Sequence, residues 1–337
     1  MGAYFNPEDY GRLKKEYQNK IRFLKEWLWG NDVSFNDVEK WIKNFQGYYK
    51  SDKDREQLIA LHLLSQFMFF SQKEIRIMLI SMYRDLYMKP LLQTLRKNSP
   101  SMTVKEAENM LLEKMKVTRF LGIGNSSESS CLLLYYFRQV NKLPNSYFMD
   151  NCNIYFYDND GRISGLQKNE EGNEIDYYVF IDDLAGTGKQ AEKFFKNIRY
   201  EKILEYNKNA KILYFTLFRT DKAKQLFEEE LPNIIFNSIF ELDDTYKCFG
   251  EESRHFVKKE NDPSAHEQEK KYAKGMCETY MKNKVEKYEI CGFLDSQLML
   301  AFFYNTPNNT LPIFWAENDC KWTPLFRRYA KEIRKSL

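Results

Sequence analysis

The stretch YYVFIDDLAGTGKQ, residues 177–190, combines an apolar run, two acids and a short glycine-rich loop. In the residues that follow, 191–198, apolar side chains recur at helical spacing. This order predicts a strand, a loop and a helix. A strand that is apolar on both faces is typical of a parallel sheet buried on both sides, so the stretch predicts an α/β domain.

The loop after this strand has the composition of a phosphate-binding site. Its glycines allow backbone N–H groups to point at one spot, and the first turn of the next helix adds unpaired N–H groups and a positive dipole. Thr187 adds a hydroxyl donor and Lys189 a cation, whereas Asp182 and Asp183 suit ribose hydroxyls or a metal ion. A ribose phosphate fits both halves. Alternatively, Asp183 only caps the helix and the glycines form a tight turn.

The stretch does not match a Walker A loop, because Asp183 stands where that motif has its first glycine and Gln190 where it has Ser or Thr. It resembles instead the phosphoribosyl-diphosphate motif of type I phosphoribosyltransferases, in which a hydrophobic strand, two acids and a Thr/Gly-rich loop follow one another. The resemblance implies that Asp182 and Asp183 hold the ribose, with Mg²⁺ as a cofactor at the same carboxylates. It implies that the 5′-phosphate is bound by Gly186, Thr187, Gly188, Lys189 and Gln190.

Three loop residues depart from that family pattern. Gly186 and Gln190 replace residues that usually carry hydroxyls, and Lys189 replaces a glycine. The loop therefore supports phosphate binding more strongly than it supports catalysis.

Composition narrows the class of protein. The 51 Lys and Arg nearly balance the 48 Asp and Glu, so bulk charge does not predict nucleic-acid binding. The six cysteines form no CxxC pair and no signal peptide opens the chain, which favours reduced core thiols in the cytoplasm. The most apolar helical run, Leu58–Phe70, is too short and too often interrupted by polar residues to span a bilayer.

Residues 1–115 are predicted to form an all-helical N-terminal part, and residues 116–337 an α/β domain. Helix-start signals occur at Ser34, at Ser51 with Asp54, at Ser71 with Glu74, and at Thr103 with Glu106. The helix after Ser71 is expected to end at Pro90, and the first helix at Gly30. His62, on an apolar face, is predicted to be a hydrogen-bonded core residue.

A second strand, loop and helix begin at Val117–Ile123, with the helix at Cys131–Val140. In the phosphoribosyltransferase interpretation the intervening loop binds the diphosphate through backbone amides and hydroxyls. Its candidate residues are Gly124, Asn125, Ser126 and Ser127. A serine-rich helix cap is an equally good interpretation.

Predicted strands and helices also alternate further along the chain. Residues 154–180 resemble a hairpin whose second strand is the central strand, with Arg162 and Lys168 near its tip. The resemblance to type I phosphoribosyltransferases implies a mobile hairpin here, with a basic residue that closes on the diphosphate, and Arg162 and Lys168 are loose matches to it. A solvated loop is the alternative. Strands are predicted at 212–218, 234–242 and 298–303, and helices from Asp221 and at 264–283. Alternation of strand and helix favours a parallel sheet with right-handed crossovers.

The C-terminal region contains the motif Asn-Thr-Pro-Asn-Asn-x-Leu-Pro-Ile-x-Trp, residues 305–315. The amides of Asn305, Asn308 and Asn309 are candidates for reading a base, and Trp315 is a candidate for stacking on it. The same residues would equally serve to lock a long loop against a sheet.

Together the motifs resemble the phosphoribosyltransferase-like effector family of bacterial conflict systems. The resemblance rests on Trp41 with Phe45, the Gly124 loop before a helix with Arg138, the Asp-Asp-x-x-x-Thr-Gly-Lys motif and the C-terminal motif, and extends from about Trp41 to Arg328. It implies an anti-phage or toxin role, in some members beside a retron-type reverse transcriptase with its RNA–DNA partner.

Three functions remain open from the sequence. The first is an enzyme that acts at C1 of a ribose phosphate in a nucleotide or phosphoribosyl diphosphate, with Mg²⁺. The second is a non-catalytic nucleotide sensor that docks a partner through its helical part. The third is an accessory protein that binds nucleic acid, which requires a local basic surface.

Overall fold

The computed structural model describes residues 5–125, 127–257, 265–317 and 322–329. The chain divides into two compact units. The first unit comprises Met1–Glu74 and Asp243–Leu337, and the second comprises Ile75–Leu242. The division expected from the sequence, at residues 115 and 116, follows the change of hydrophobic period and stays a prediction.

Strands and helices alternate through the middle of the chain. Within the described ranges the strands are β1 (Met68–Phe70), β2 (Thr118–Gly122), β3 (Tyr155–Tyr157), β4 (Ile163–Leu166), β5 (Tyr177–Ala185), β6 (Lys211–Thr220), β7 (Ile234–Leu242) and β8 (Leu300–Phe302). The α-helices there are α1 (Tyr10–Leu24), α2 (Phe35–Ile42), α3 (Lys53–Leu64), α4 (Gln72–Ser81), α5 (Lys89–Asn98), α6 (Val104–Lys116), α7 (Ser129–Val140), α8 (Lys189–Asn197), α9 (Tyr200–Tyr206), α10 (Asp221–Glu230) and α11 (Ala265–Met281). None of the helices described is at once long and apolar enough to cross a bilayer.

The second unit contains a parallel sheet of four strands in the order β2-β5-β6-β7. Helices follow β2, β5 and β6, as expected for strands joined by crossover connections. This confirms the predicted α/β fold with a parallel sheet flanked by helices. The carboxyl ends of parallel strands meet at one edge of a sheet, so the loops after β2 and β5 start from the same edge.

One face of this sheet is covered by α8 and α10. A row of paired residues, Leu121, Phe180, Tyr214 and Phe236, crosses all four strands. On it Phe195 of α8 lies edge-on, with ring centroids 5.0 Å from Phe180 and 5.6 Å from Tyr214. Fully burying one such side chain contributes about 1.5–3 kcal/mol, so this aromatic layer fixes α8 and the loop before it.

The strands around the central stretch differ in extent from the prediction. β5 runs through both acids to Ala185, because β6 continues alongside it and pairs Arg219 with Ala185. The predicted hairpin is present, but its second strand is β4, which pairs with β3 in a separate antiparallel sheet. The expectation that β5 forms that second strand is wrong, because β2 pairs with residues 177–181 on one edge of β5 and β6 pairs along the other edge.

The N-terminal helices follow the predicted start signals with two corrections. Both capping boxes, at Ser34 and Thr103, are formed, but α3 is capped by Asp52 rather than Ser51. The helix after Ser71 does not end at Pro90. A π-helical segment, Met82–Met88, leads directly into α5, so the chain stays helical past Pro90, which lacks a backbone N–H.

The first unit is built from the two ends of the chain. Its short strand β1, which the sequence did not predict, pairs in parallel with β8. The Trp41 indole of α2 donates a hydrogen bond of 2.7 Å to the Ile313 carbonyl and stacks on Phe314 at 5.2 Å. Helices α1, α2 and α3 therefore form one hydrophobic core with the C-terminal motif.

The cysteines only partly follow the expectation of buried thiols. Cys248, Cys277 and Cys291 are buried free thiols, whereas Cys131 and Cys152 are exposed. Cys320 lies outside the described residues. His62 is buried, as predicted, and its Nε2 donates a 2.8 Å hydrogen bond to the His255 carbonyl.

Candidate ribose phosphate site

Asp182 is a buried carboxylate held from two directions. Its Oδ1 accepts the Asp183 N–H at 2.9 Å, and its Oδ2 accepts the Tyr214 hydroxyl at 3.1 Å. Burial and the adjacent Asp182 carboxylate raise the pKa of Tyr214 well above its ordinary value, so the phenol stays a hydrogen-bond donor. The position of Asp182 is thereby fixed by a neighbouring strand.

Asp183 is the more accessible of the two acids. It is half-buried, and its Oδ1 accepts the Leu184 N–H at 2.7 Å. Because successive side chains of a strand point to opposite faces, Asp183 projects from the other face of β5 than Asp182 does. The two carboxylates therefore differ in surroundings, which the sequence motif did not reveal.

The glycine loop is packed tightly against the start of α10. Gly188 has a φ of +74°, and a Cβ built on it would lie 2.9 Å from Leu226 Cδ2 and 3.3 Å from Ala223 Cα. The Thr220 hydroxyl, which caps α10, donates to the Gly186 carbonyl. Gly188 thus has two reasons to lack a side chain: its left-handed conformation and the neighbouring helix.

The start of α8 is suited to an anion. Its N-cap is Gly188, which offers no side-chain hydrogen bond, so the N–H groups of the first turn are not capped by a side chain. Asp183 lies five residues before this cap and does not serve as one, which removes one part of the alternative interpretation. Lys189 is exposed and forms no ion pair among the residues that the structure describes.

The loop after β2 is held in place by side chains on both sides. The Asn125 side-chain oxygen accepts the Ser127 N–H at 3.0 Å and its hydroxyl at 2.6 Å. Asn151 Nδ2 donates to the carbonyls of Gly122 and Gly124 at 3.0 and 3.2 Å. Ser126 lies outside the described residues. The N-cap of α7 is Glu128, so no described serine caps this helix.

A side-chain hydrogen bond joins the two candidate loops. Gln190 Nε2 donates to Glu128 Oε2 at 3.1 Å, across a separation of 62 residues. The sequence did not indicate Glu128, Asn151 or Tyr214 as parts of this site. The only signal for Glu128 is that it is the single acid in a serine-rich loop, and no local pattern indicates the other two.

Arg162 and Lys168, the basic candidates of the hairpin, lie at either end of β4. Arg162 is exposed, and its Nη1 lies 3.8 Å from Asp160 Oδ2. The backbone of Lys168 forms an isolated antiparallel β-bridge with that of Glu174. These contacts are local to the hairpin, and a ligand contact for either residue stays a prediction.

The C-terminal candidates belong to the first unit and make internal contacts. Asn305 Oδ1 accepts the Tyr329 N–H at 3.0 Å, the Asn308 carbonyl accepts the Phe293 N–H at 2.7 Å, and Asn309 Nδ2 donates to Ser296 at 2.8 Å. Trp315 is buried, and its indole donates to the Thr310 carbonyl at 2.7 Å. The contacts favour the locking role that the sequence left open, and base recognition by these residues stays a prediction.

No group of three or more metal-ligating side chains occurs in the part of the chain that the structure describes. Asp182 already accepts hydrogen bonds through both oxygens and lies on the other face of β5 from Asp183. A Mg²⁺ ion accepts one carboxylate together with water and phosphate oxygens, so Asp183 with a bound phosphate fits such an ion better than the acid pair does.

A family model described as PRTase-CE, which denotes a phosphoribosyltransferase-like family, matches residues 38–328. The matched range contains both loops and the C-terminal motif, and it agrees with the extent expected from the sequence. No curated protein matches the sequence.

Proposed function

The chain belongs to the PRTase-CE family, and we propose that its second unit binds the ribose 5-phosphate group of a nucleotide at the end of β5 and acts at ribose C1. One observation carries the proposal. Within seven residues, the loop combines the accessible carboxylate of Asp183, an uncapped helix start at Gly188 and the unneutralised cation of Lys189. A sugar phosphate carries hydroxyls that suit the carboxylate and an anion that suits the helix start and the lysine.

The residues have distinct roles in this proposal. The N–H groups at the start of α8, with Thr187 and Lys189, bind the 5′-phosphate, and Asp183 accepts hydrogen bonds from ribose hydroxyls. Tyr214 holds Asp182 as a fixed negative charge that stabilises positive charge developing on the sugar. A bound Mg²⁺ ion would take Asp183 as a ligand and neutralise charge on phosphate oxygens.

A non-catalytic nucleotide sensor is the second candidate. The contact between Gln190 and Glu128 favours it, because a residue expected to carry a phosphate-binding hydroxyl is engaged with the other loop instead. Such a protein would keep the phosphate site and transmit its occupancy to a partner.

We also propose a biological setting on the strength of the motif resemblance. The protein would be a cytoplasmic effector of a bacterial anti-phage or toxin system, with a retron-type reverse transcriptase and its RNA–DNA product as partner. The family match supports a nucleotide or phosphoribosyl ligand for such an effector.

Turnover distinguishes the enzyme from the sensor. The purified protein is incubated with Mg²⁺ and nucleotides, NAD, phosphoribosyl diphosphate or single-stranded nucleic acid, and released base or diphosphate is measured by mass spectrometry. We expect product from the wild type and none from the Asp182→Ala/Asp183→Ala double variant. Binding of a nucleotide without any product would contradict the catalytic proposal and favour the sensor.

A further inference from the structure

The side chain of Glu128 lies against the backbone of the candidate diphosphate loop. Gly124 has a φ of +88°, and a Cβ built on it would lie 2.5 Å from Glu128 Oε2 and 2.6 Å from its Cδ. The carboxylate therefore rests against the Gly124 backbone. The 3.1 Å hydrogen bond from Gln190 also joins this carboxylate to the phosphate loop.

The segment that forms this loop carries an acid and no cation. No Lys or Arg occurs between Arg119 and Arg138. Arg119 donates to the Lys116 and Thr118 carbonyls at the opposite end of β2, and Arg138 lies in the last turn of α7. Besides burial, the negative charges of Asp150 and Glu128 raise the pKa of the Cys131 thiol. The loop thus holds a carboxylate and has no cation of its own to neutralise a polyanion.

The side chain of Gln190 helps to hold the Glu128 carboxylate between the two loops. Phosphate loops of the related pattern end in a hydroxyl residue, whereas Gln190 has an amide long enough to reach the other loop. Its N–H donates to Glu128, which favours the carboxylate remaining between the loops. Gln190, one of the departures from the phosphoribosyltransferase pattern, therefore acts as a pair with the acid in the candidate diphosphate loop.

From this geometry we infer that the site selects a ribosyl group carrying a single 5′-phosphate and excludes a diphosphate at C1. The inference rests on the proposed function, since it names the ligand class of the same site. Glu128 is the specificity-determining residue, because a diphosphate placed at the Gly124 loop would meet its negative charge at close range. The ligand is then ribose 5-phosphate or a nucleoside monophosphate.

Calorimetric titration with ribose 5-phosphate and with phosphoribosyl diphosphate, at equal free Mg²⁺, tests the inference. We expect the wild type to bind ribose 5-phosphate about tenfold more tightly or better. Glu128→Gln should increase the affinity for phosphoribosyl diphosphate by about fivefold or more and leave the affinity for ribose 5-phosphate within about twofold of the wild-type value. Gln190→Ala should change the ratio of the two affinities in the same direction. Glu228 is an exposed acid near the end of α10, and Glu228→Gln should leave this ratio unchanged.

The possible outcomes distinguish a failure of this inference from a failure of the proposed function. If the wild type binds both ligands equally, or if Glu128→Gln leaves the ratio unchanged, the inference fails while the ribose phosphate site stands. If Glu128→Gln instead weakens diphosphate binding in the presence of Mg²⁺, Glu128 holds the diphosphate through the metal, and the inference is again overturned. If neither ligand binds to the wild type, the proposed function itself fails.

Discussion

Replacing Gly188 by alanine is expected to destabilise the second unit by about 2–5 kcal/mol, the sum of a left-handed backbone penalty and overpacking. The Cβ would lie 2.9 Å from Leu226 Cδ2, which requires a change of rotamer, and 3.3 Å from Ala223 Cα, which belongs to the backbone of α10. Because the same loop forms the proposed phosphate site, ligand affinity should fall as well.

Gly161 provides a matched control. Its φ of +75° is nearly the same, but a Cβ there would meet nothing within 4 Å. Gly161→Ala should therefore cost only the backbone term, about 1–2 kcal/mol. Thermal unfolding by calorimetry measures both variants. Equal destabilisation by the two substitutions would show that α10 does not restrict the loop.

The free energy of unfolding of the first unit is expected to fall as the pH is lowered below 6.5, before most carboxylates are protonated. Burial lowers the pKa of His62 and of His255 to about 4, with further lowering by neighbouring positive charges including Lys20. In the unfolded chain each pKa returns to about 6.5, so the unfolded state binds more protons between these values. Stability therefore falls as the pH falls from 6.5 towards 4, by about 3 kcal/mol for each histidine at the lower limit.

Tryptophan fluorescence isolates this effect. All five tryptophans, at positions 27, 29, 41, 315 and 322, belong to the first unit. Urea unfolding followed by this signal should give a free energy of unfolding lower by about 4 kcal/mol at pH 5 than at pH 7.5. His62→Gln, which retains a donor for the His255 carbonyl, should show about half that difference. An equal pH dependence in variant and wild type would contradict the assignment.

Local patterns sufficed where an element is defined by its own residues. The bounds of β7 and the start of α10 agree with the predicted ones, because each follows from alternating or helical spacing and a capping residue. The strand at the centre was placed correctly, but its end was not. Whether Asp182 and Asp183 belong to the strand depends on how far β6 extends beside them, which a single stretch does not encode.

Contacts between distant residues could not be predicted in the same way. β1 exists because Phe69 pairs with Ala301, a partner more than two hundred positions away. The Glu128–Gln190 hydrogen bond depends on the parallel arrangement of β2 and β5, which brings two loops to one edge of the sheet. Trp315 is a stacking candidate in the sequence, and its burial and its hydrogen bond to the Thr310 carbonyl favour a structural role.

The central claim is that the loop after β5 binds a 5′-phosphate, and titration of ribose 5-phosphate into the protein tests it most directly. Lys189→Ala should weaken binding by about tenfold or more, which corresponds to about 1.4 kcal/mol. Lys193→Ala, an exposed lysine one turn further along α8, should leave the affinity within about twofold. Asp183→Asn should weaken binding without loss of thermal stability. An affinity that is unchanged in both Lys189→Ala and Asp183→Asn, or no binding by the wild type, would contradict the account.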